Sequence, residues 1–313
     1  MSGDERGFRD PRVLLPFLLI TLIWGSTWIV IKDQIGGDPA QAVPGPWSVA
    51  YRFAIASAAM FAVALVTGAS LRLGSAGHGL ALLFGLPQFC FNFNSVYAAE
   101  HYVTSGLVAT VFALLMVPNS ALAWLFLKQR VSGRFMLGSA IACAGVALLF
   151  VQELRASAAT PAEVAIGVGL TLFGVLSASV ANIMQAHRRL AAWPLPSLLA
   201  WGMFYGMIGN VLFAFAAAWP PVVSDRPFYW IGLAYLGLVA SALTFPLYFS
   251  IVRAVGPGKA AYSSLLIPII AMAISTVAED YAWSPLAIAG GLIALAGMAV
   301  ALRSRRPPVA DSG

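Results

Sequence analysis

Apolar residues run in stretches of about twenty from residue 13 to residue 302, and that run length most narrows the choice of fold. A helix rises about 1.5 Å per residue, so about 20 residues cross the hydrocarbon layer of a bilayer. Ten such runs can be marked, at 13–32, 47–66, 79–98, 103–127, 134–152, 164–186, 196–218, 228–250, 258–279 and 285–302. Strands of a membrane barrel would instead alternate over about 10 residues. The chain is 60% hydrophobic and only 10% charged, whereas soluble domains are about 25% charged. The expected fold is therefore an all-α integral membrane protein with ten transmembrane helices. The connections are short and leave no room for a soluble domain. The longest, 33–46, is rich in Gly and Pro.

Lys and Arg placement sets the orientation. With the N-terminus in the cytoplasm and the spans alternating, only Lys32, Arg155 and Arg226 fall outside, and Arg52 falls within a span. The other fourteen of the 18 Lys and Arg lie inside, including Arg6, Arg9, Arg130, Arg303, Arg305 and Arg306. The acids lean outward: Asp33, Asp38, Glu100, Glu153, Glu163, Asp225, Glu279 and Asp280. A wrong span count would scramble this bias. It supports ten helices with both termini cytoplasmic, and it reads the net charge of +6 as a topology signal rather than a nucleic-acid footprint. The N-terminus lacks the form of a cleaved signal peptide. Cys90 and Cys143 sit inside apolar runs as small buried hydrophobes, implying no disulfide or metal framework.

The chain repeats itself. YAAEHYVTSGLVATVFALLMVPNSALAWLFLKQR from Tyr97 parallels YFSIVRAVGPGKAAYSSLLIPIIAMAISTVAEDY from Tyr248. Tyr97 matches Tyr248, Pro118 matches Pro268, Gln129 matches Glu279, and Gly138 and Gly145 match Gly290 and Gly297. The expected organisation is a tail at 1–12, a five-helix repeat at 13–152, a linker at 153–163, a second repeat at 164–302 and a tail at 303–313. Five is odd, so the second repeat enters the membrane inverted. In secondary transporters such repeats hold a substrate near the midplane between the halves.

Trp24-Gly25-Ser26 in the first span, Arg52 in the second, Pro118 followed by LFLKQR, and the Gly138/Gly145 pair occur together here, the last features repeated in the second half. On these residues the whole chain resembles the drug/metabolite transporter superfamily, EamA type, and most of all its YddG-type amino-acid exporters. The resemblance implies ten helices and export of small metabolites, often amino acids, across the bacterial inner membrane. One departure is Gln129, where the family usually has an acid after the fourth span.

The stretch Gly85 to Glu100, GLPQFCFNFNSVYAAE, carries amides where lipid offers no hydrogen-bond partner. At about 100° per residue Gln88, Asn92 and Ser95 share one stripe, while Asn94 points to a neighbouring helix. The stripe is expected to line a cavity; the competing reading is that amides hold helices together. Ser179 and Asn182 on the sixth span, and Thr244 and Tyr248 on the eighth, extend the substrate-binding set. Their hydroxyls can equally satisfy their own helix backbone. Trp24 lies too deep for the interfacial aromatic belt and can stack on a substrate or close the cavity; Trp28 reads as interfacial. Pro118 and Pro268 are the expected hinges, Asn119 being placed to satisfy a freed carbonyl. Arg52 lies near the outer end of its span, where snorkelling is cheap. It can pair with an outer acid or greet an anionic group, and a structural or gating role is favoured. The paired glycines of the fifth and tenth spans read as close helix packing.

No acid falls near mid-membrane, which argues against a central carboxylate relay. A neutral, amide-lined cavity suits a zwitterion. An intramembrane enzyme acting on lipid-linked substrates would need a nucleophile–base pair or a metal cluster, and none of HExxH, GxSxG or CxxC occurs. A structural or receptor-like subunit leaves the inverted repeat unexplained. The reading that results is a transporter of small molecules, amino acids (aromatic and other neutral ones) ahead of drugs. It has no cofactor or metal, membrane lipid as its surroundings, and one chain enclosing the whole pathway.

Overall fold

The computed structural model describes residues 10–35, 42–103, 105–129, 131–156, 159–278 and 283–302. Arg6, Arg9, Asp38, Arg130, Glu279, Asp280, Arg303, Arg305 and Arg306 lie outside these, as do most of the 1–12 tail and the whole 303–313 tail.

The described chain is helical. We number its long helices α1 (Pro11–Ile35), α2 (Gly45–Val66), α3 (Gly74–Gly85, Leu86–Phe91 and Asn92–Ala99 in one run), α4 (Ser105–Leu127), α5 (Gly133–Ala156), α6 (Pro161–Ala186), α7 (Leu195–Ala217), α8 (Pro227–Val255), α9 (Ser263–Ala278) and α10 (Pro285–Leu302). Nine helices among the described residues are long and apolar enough to cross a membrane. The polar stretch of α3 sets it apart from those nine. Helix starts follow local rules: Pro161 and Pro227 occupy first-turn positions where no N–H is needed. Thr160 and Glu163 form a reciprocal capping box at the head of α6.

The helices interleave so that contacts map onto one another when the halves are exchanged. α1 packs on α8 and α9, and α6 packs on α3 and α4; α2 runs along α7, and α5 along α10. The α5–α10 seam is backbone against backbone. A Cβ on Gly138 would collide with Gly297 and Ala301, one on Gly145 with Gly290 and Ala294, and one on Gly297 with Ala142. The glycine spacing thus acts as expected, letting two helices approach closely in the absence of a hydrophobic drive between them.

The two third helices of the halves depart from α geometry at matching places. Leu86–Phe91 in α3 and Tyr235–Leu243 in α8 are π-helical. In α3, Pro87 contributes no N–H, and the Asn92 N–H reaches back five residues to the Pro87 carbonyl. In α8, the Ser241 hydroxyl donates to the Leu236 carbonyl, also five residues back, at 2.8 Å. A π-turn holds one extra residue and rotates everything beyond it; such turns gather at functional sites.

Candidate functional site

The π-turn of α3, through Gln88, and the α8 residues Phe245 and Tyr248 just past its π-segment face a cavity of about 110 Å³ between the halves. Its wall takes Trp24, Trp28, Arg52, Gln88, Asn92, Phe93, Asn182, Phe245 and Tyr248, together with apolar groups such as Val96, Phe112 and Ile267. Trp24 is held from three sides. Its indole N–H donates to the Ala240 carbonyl and the Thr244 hydroxyl, both at 3.0 Å. Its ring lies 5.5 Å from that of Phe245 and 5.1 Å from that of Tyr248. Tyr248 accepts from Asn182 Nδ2 at 3.1 Å, and the same amide reaches Asn119 Oδ1 at 3.4 Å.

Of the residues expected to bind substrate, Trp24, Gln88, Asn92, Asn182 and Tyr248 come together on this wall. Ser95, Ser179 and Thr244 do not. Ser95 packs against the Gly174 position of α6, because the extra residue in the π-turn rotates it away from the stripe that regular α geometry gives. Ser179 turns back on its own helix, donating to the Val175 carbonyl at 2.8 Å. The Thr244 hydroxyl donates to the Ala240 carbonyl and positions Trp24 from behind the wall. Asn92 lies on the wall, but its Oδ1 is aimed toward Gly174.

Three further expectations are corrected. Arg52 does not snorkel: it is 2% exposed, with Nε donating to the Ser241 hydroxyl at 3.0 Å and the guanidinium 4.5 Å from the centre of the Phe93 ring. Trp28 lines the cavity instead of the interface. Asn119 leaves the proline-freed carbonyl alone and donates to the Pro257 carbonyl at 3.1 Å. Pro118 and Pro268 differ in setting. A 3₁₀ turn, Ala113–Leu115, precedes the segment carrying Pro118, and Pro268 lies inside α9.

Asn94 bonds a neighbour as expected, donating to Asn210 Oδ1 of α7 at 2.6 Å. Asn210 and Gln34 are buried amides that the sequence reading passed over. Asn210 donates to the Phe89 carbonyl at 2.9 Å, bracing the π-turn; Gln34 accepts from Tyr97 at 3.0 Å. The rule that singled out α3, an amide within an apolar run, also finds Asn210.

The cavity wall carries buried polar atoms without hydrogen-bond partners: Arg52 Nη1, Trp28 Nε1, Gln88 Oε1, Asn92 Oδ1 and Asn182 Oδ1. Such groups are costly to bury unmet. Among the described residues no cluster of His, Cys, Asp and Glu could hold a metal. The arrangement can bind a small polar solute through donors, acceptors and aromatic faces.

A solved crystal structure shares the fold over 92% of this chain and 96% of its own, with a TM-score of 0.71 at 21% identity. Protein PagO of Salmonella typhimurium is 21% identical over 96% of both chains. A probable amino-acid metabolite efflux pump of the same organism is 24% identical over 90% of this chain and 91% of its own. A probable terminal-alkyne amino-acid exporter of Streptantibioticus cattleyicolor is 25% identical over 64% of each. The model of the EamA-like transporter family matches twice, over residues 12–151 and 165–303, one match to each half. The chain is a multi-pass membrane protein that belongs to the EamA-like transporter family.

Proposed function

We propose that the protein exports small metabolites, neutral amino acids foremost, across the bacterial inner membrane by alternating access through the cavity between its halves. The observation that carries the reading is the cavity itself: polar atoms from both halves are buried there without partners, a cost that a polar solute would relieve. The names of two relatives, an amino-acid metabolite efflux pump and an amino-acid exporter, support the same solute class. The cavity of about 110 Å³ is well above the roughly 10–15 Å³ needed to hold one water, so it admits a small solute. In this proposal Trp24, Gln88, Asn92, Asn182 and Tyr248 bind, Pro118 and Pro268 flex, both termini are cytoplasmic and one chain suffices.

The test is efflux from proteoliposomes loaded with labelled amino acids and a panel of small drugs, with and without a pH gradient. Faster release of neutral amino acids than from protein-free vesicles is expected. Equal release across the whole panel would sink the reading, and preferential release of drugs would redirect it.

A further inference from the structure

Arg52 is the chemical oddity of this cavity. Guanidinium stays charged at any accessible pH, and a buried cation is tolerated when an anion or a full set of acceptors meets it. Arg52 is 2% exposed and sits within α2, seven residues past Gly45. Its Nε is held by the Ser241 hydroxyl, its face by Phe93, and the Tyr97 phenol meets it as a hydrogen-bonding neighbour, with the Tyr235 phenol near by. No carboxylate is among them. Nη1 is buried with no hydrogen-bond partner at all. The tether is specific. Ser241 belongs to the π-segment of α8 and uses its proton on the Leu236 carbonyl, which leaves a hydroxyl lone pair for Arg52. The guanidinium is thereby oriented, with Nη1 left unmet.

The unmet atoms are also sorted along the membrane normal. Trp28 is seven residues before the end of α1 at Ile35, and Arg52 is seven past the start of α2 at Gly45. Those ends share one face, so both donors lie about 10 Å from it at about 1.5 Å per residue. Asn182 is four residues from the end of α6 at Ala186, on the opposite face, and Gln88 lies between, in the π-turn of α3. The donors Arg52 Nη1 and Trp28 Nε1 therefore stand toward one end of the cavity. The acceptors Gln88 Oε1 and Asn182 Oδ1 stand toward the middle and the other end. Asn182 Oδ1 is fixed as the free atom because its Nδ2 is engaged by Tyr248.

We propose that Arg52 is the carboxylate-binding residue of the cavity, and that the ligands it takes are monocarboxylates held with the carboxylate at the Arg52–Trp28 end and any ammonium toward Gln88. The proposal rests on the reading of this cavity as the transport site, and it names the group by which the site would select. Arg52, placed among gating residues on sequence grounds, becomes a specificity residue.

The experiment measures ligand-induced thermal stabilisation of the purified full-length protein with matched pairs: L-alanine against L-alaninamide, L-phenylalanine against L-phenylalaninamide, and 3-phenylpropionate against its amide. Charge-assisted hydrogen bonds of this kind correspond to roughly 10- to 100-fold in affinity, so each acid should bind at least about tenfold more tightly than its amide. In Arg52→Gln the acid–amide gap should close, and Arg52→Lys, which keeps charge without the fork, should restore it in part. The wild-type comparison decides the matter even if Arg52→Gln does not fold. Acids and amides binding alike would overturn the proposal, as would a gap that survives in a folded Arg52→Gln. Stabilisation by 3-phenylpropionate but by no amino acid would keep the carboxylate site and overturn the amino-acid reading; binding of amino acids and amides alike would do the reverse. No binding by any of the six overturns both.

Discussion

The Tyr248 hydroxyl accepts a hydrogen bond from Asn182 at 3.1 Å, and this one contact joins α8 to α6 while turning the amide oxygen of Asn182 loose in the cavity. The matching residue of the other half, Tyr97, makes the corresponding bond from α3 to α1, donating to Gln34 at 3.0 Å. Interhelical bonds in membranes contribute about 0.6 kcal/mol on average. Tyr248→Phe is expected to lower the melting temperature in detergent by only a few degrees. It should reduce efflux more than Tyr97→Phe does, because only Tyr248 stands on the cavity wall. Parallel melting and efflux measurements on the two variants check this.

Gln88 and Asn94 are six residues apart on α3 and should respond oppositely. Gln88→Ala removes a cavity group whose Oε1 has no partner. Flux should drop at least severalfold with the melting temperature near wild type. Asn94→Leu strips Asn210 of a 2.6 Å bond. A loss of about 1 kcal/mol of stability is expected, with flux per folded molecule kept. Gln88→Ala unfolding the protein would return α3 to a purely structural role.

At the α5–α10 seam a side chain has nowhere to go. Gly145→Leu would drive atoms into the backbone at Gly290 and Ala294, beyond the roughly 1–3 kcal/mol that ordinary overpacking costs. It is expected to abolish the monodisperse peak on size exclusion. Gly169→Ala, at a position with open space around it, should leave that peak unchanged.

Glu100 follows the last residue of α3. Both carboxylate oxygens are shut off from solvent, although its backbone and stem are partly exposed. Burial raises its pKa to about 8, with the Ser105 hydroxyl pulling the other way. The ordinary carboxyl value is 4.5, so the folded state holds a proton that the unfolded state gives up between these limits. Stability from this group is full below about 4.5 and is lost as pH rises through about 8. The melting temperature should fall over that interval, and Glu100→Gln should flatten the slope. A wild-type profile identical to that of Glu100→Gln would contradict the burial of this carboxyl.

Much of this was legible from residue order alone. Run length and the Lys and Arg distribution led to ten helices, and the internal repeat to two inverted halves, because both signals depend on spacing that the bilayer enforces. Five of the eight expected binding residues share one wall. The misses have physical causes. Ser95 was placed with α periodicity across a segment that is π-helical, an error of one residue in register. Arg52 was sent to the surface because its nearness to a helix end was visible, whereas Ser241, 189 residues away, was not. Trp28 looks interfacial by depth, but the packing of α1 on α8 and α9 turns its ring inward.

The glycine seam has a mechanical consequence. α5 and α10 come from opposite halves yet touch main chain to main chain at Gly138, Gly145 and Gly297, with Leu148, Leu149 and Ala301 beside the contacts. Side-chain contacts can slide or change rotamer as domains move; two interlocked backbones cannot without parting altogether. The seam therefore behaves as the spine of a book. Under the alternating access proposed above, opening is expected at the edge away from the seam, by rotation about a line through α5 and α10. Displacements should then grow with distance from that line, least at Gly145 and Ala294 and greatest across the molecule.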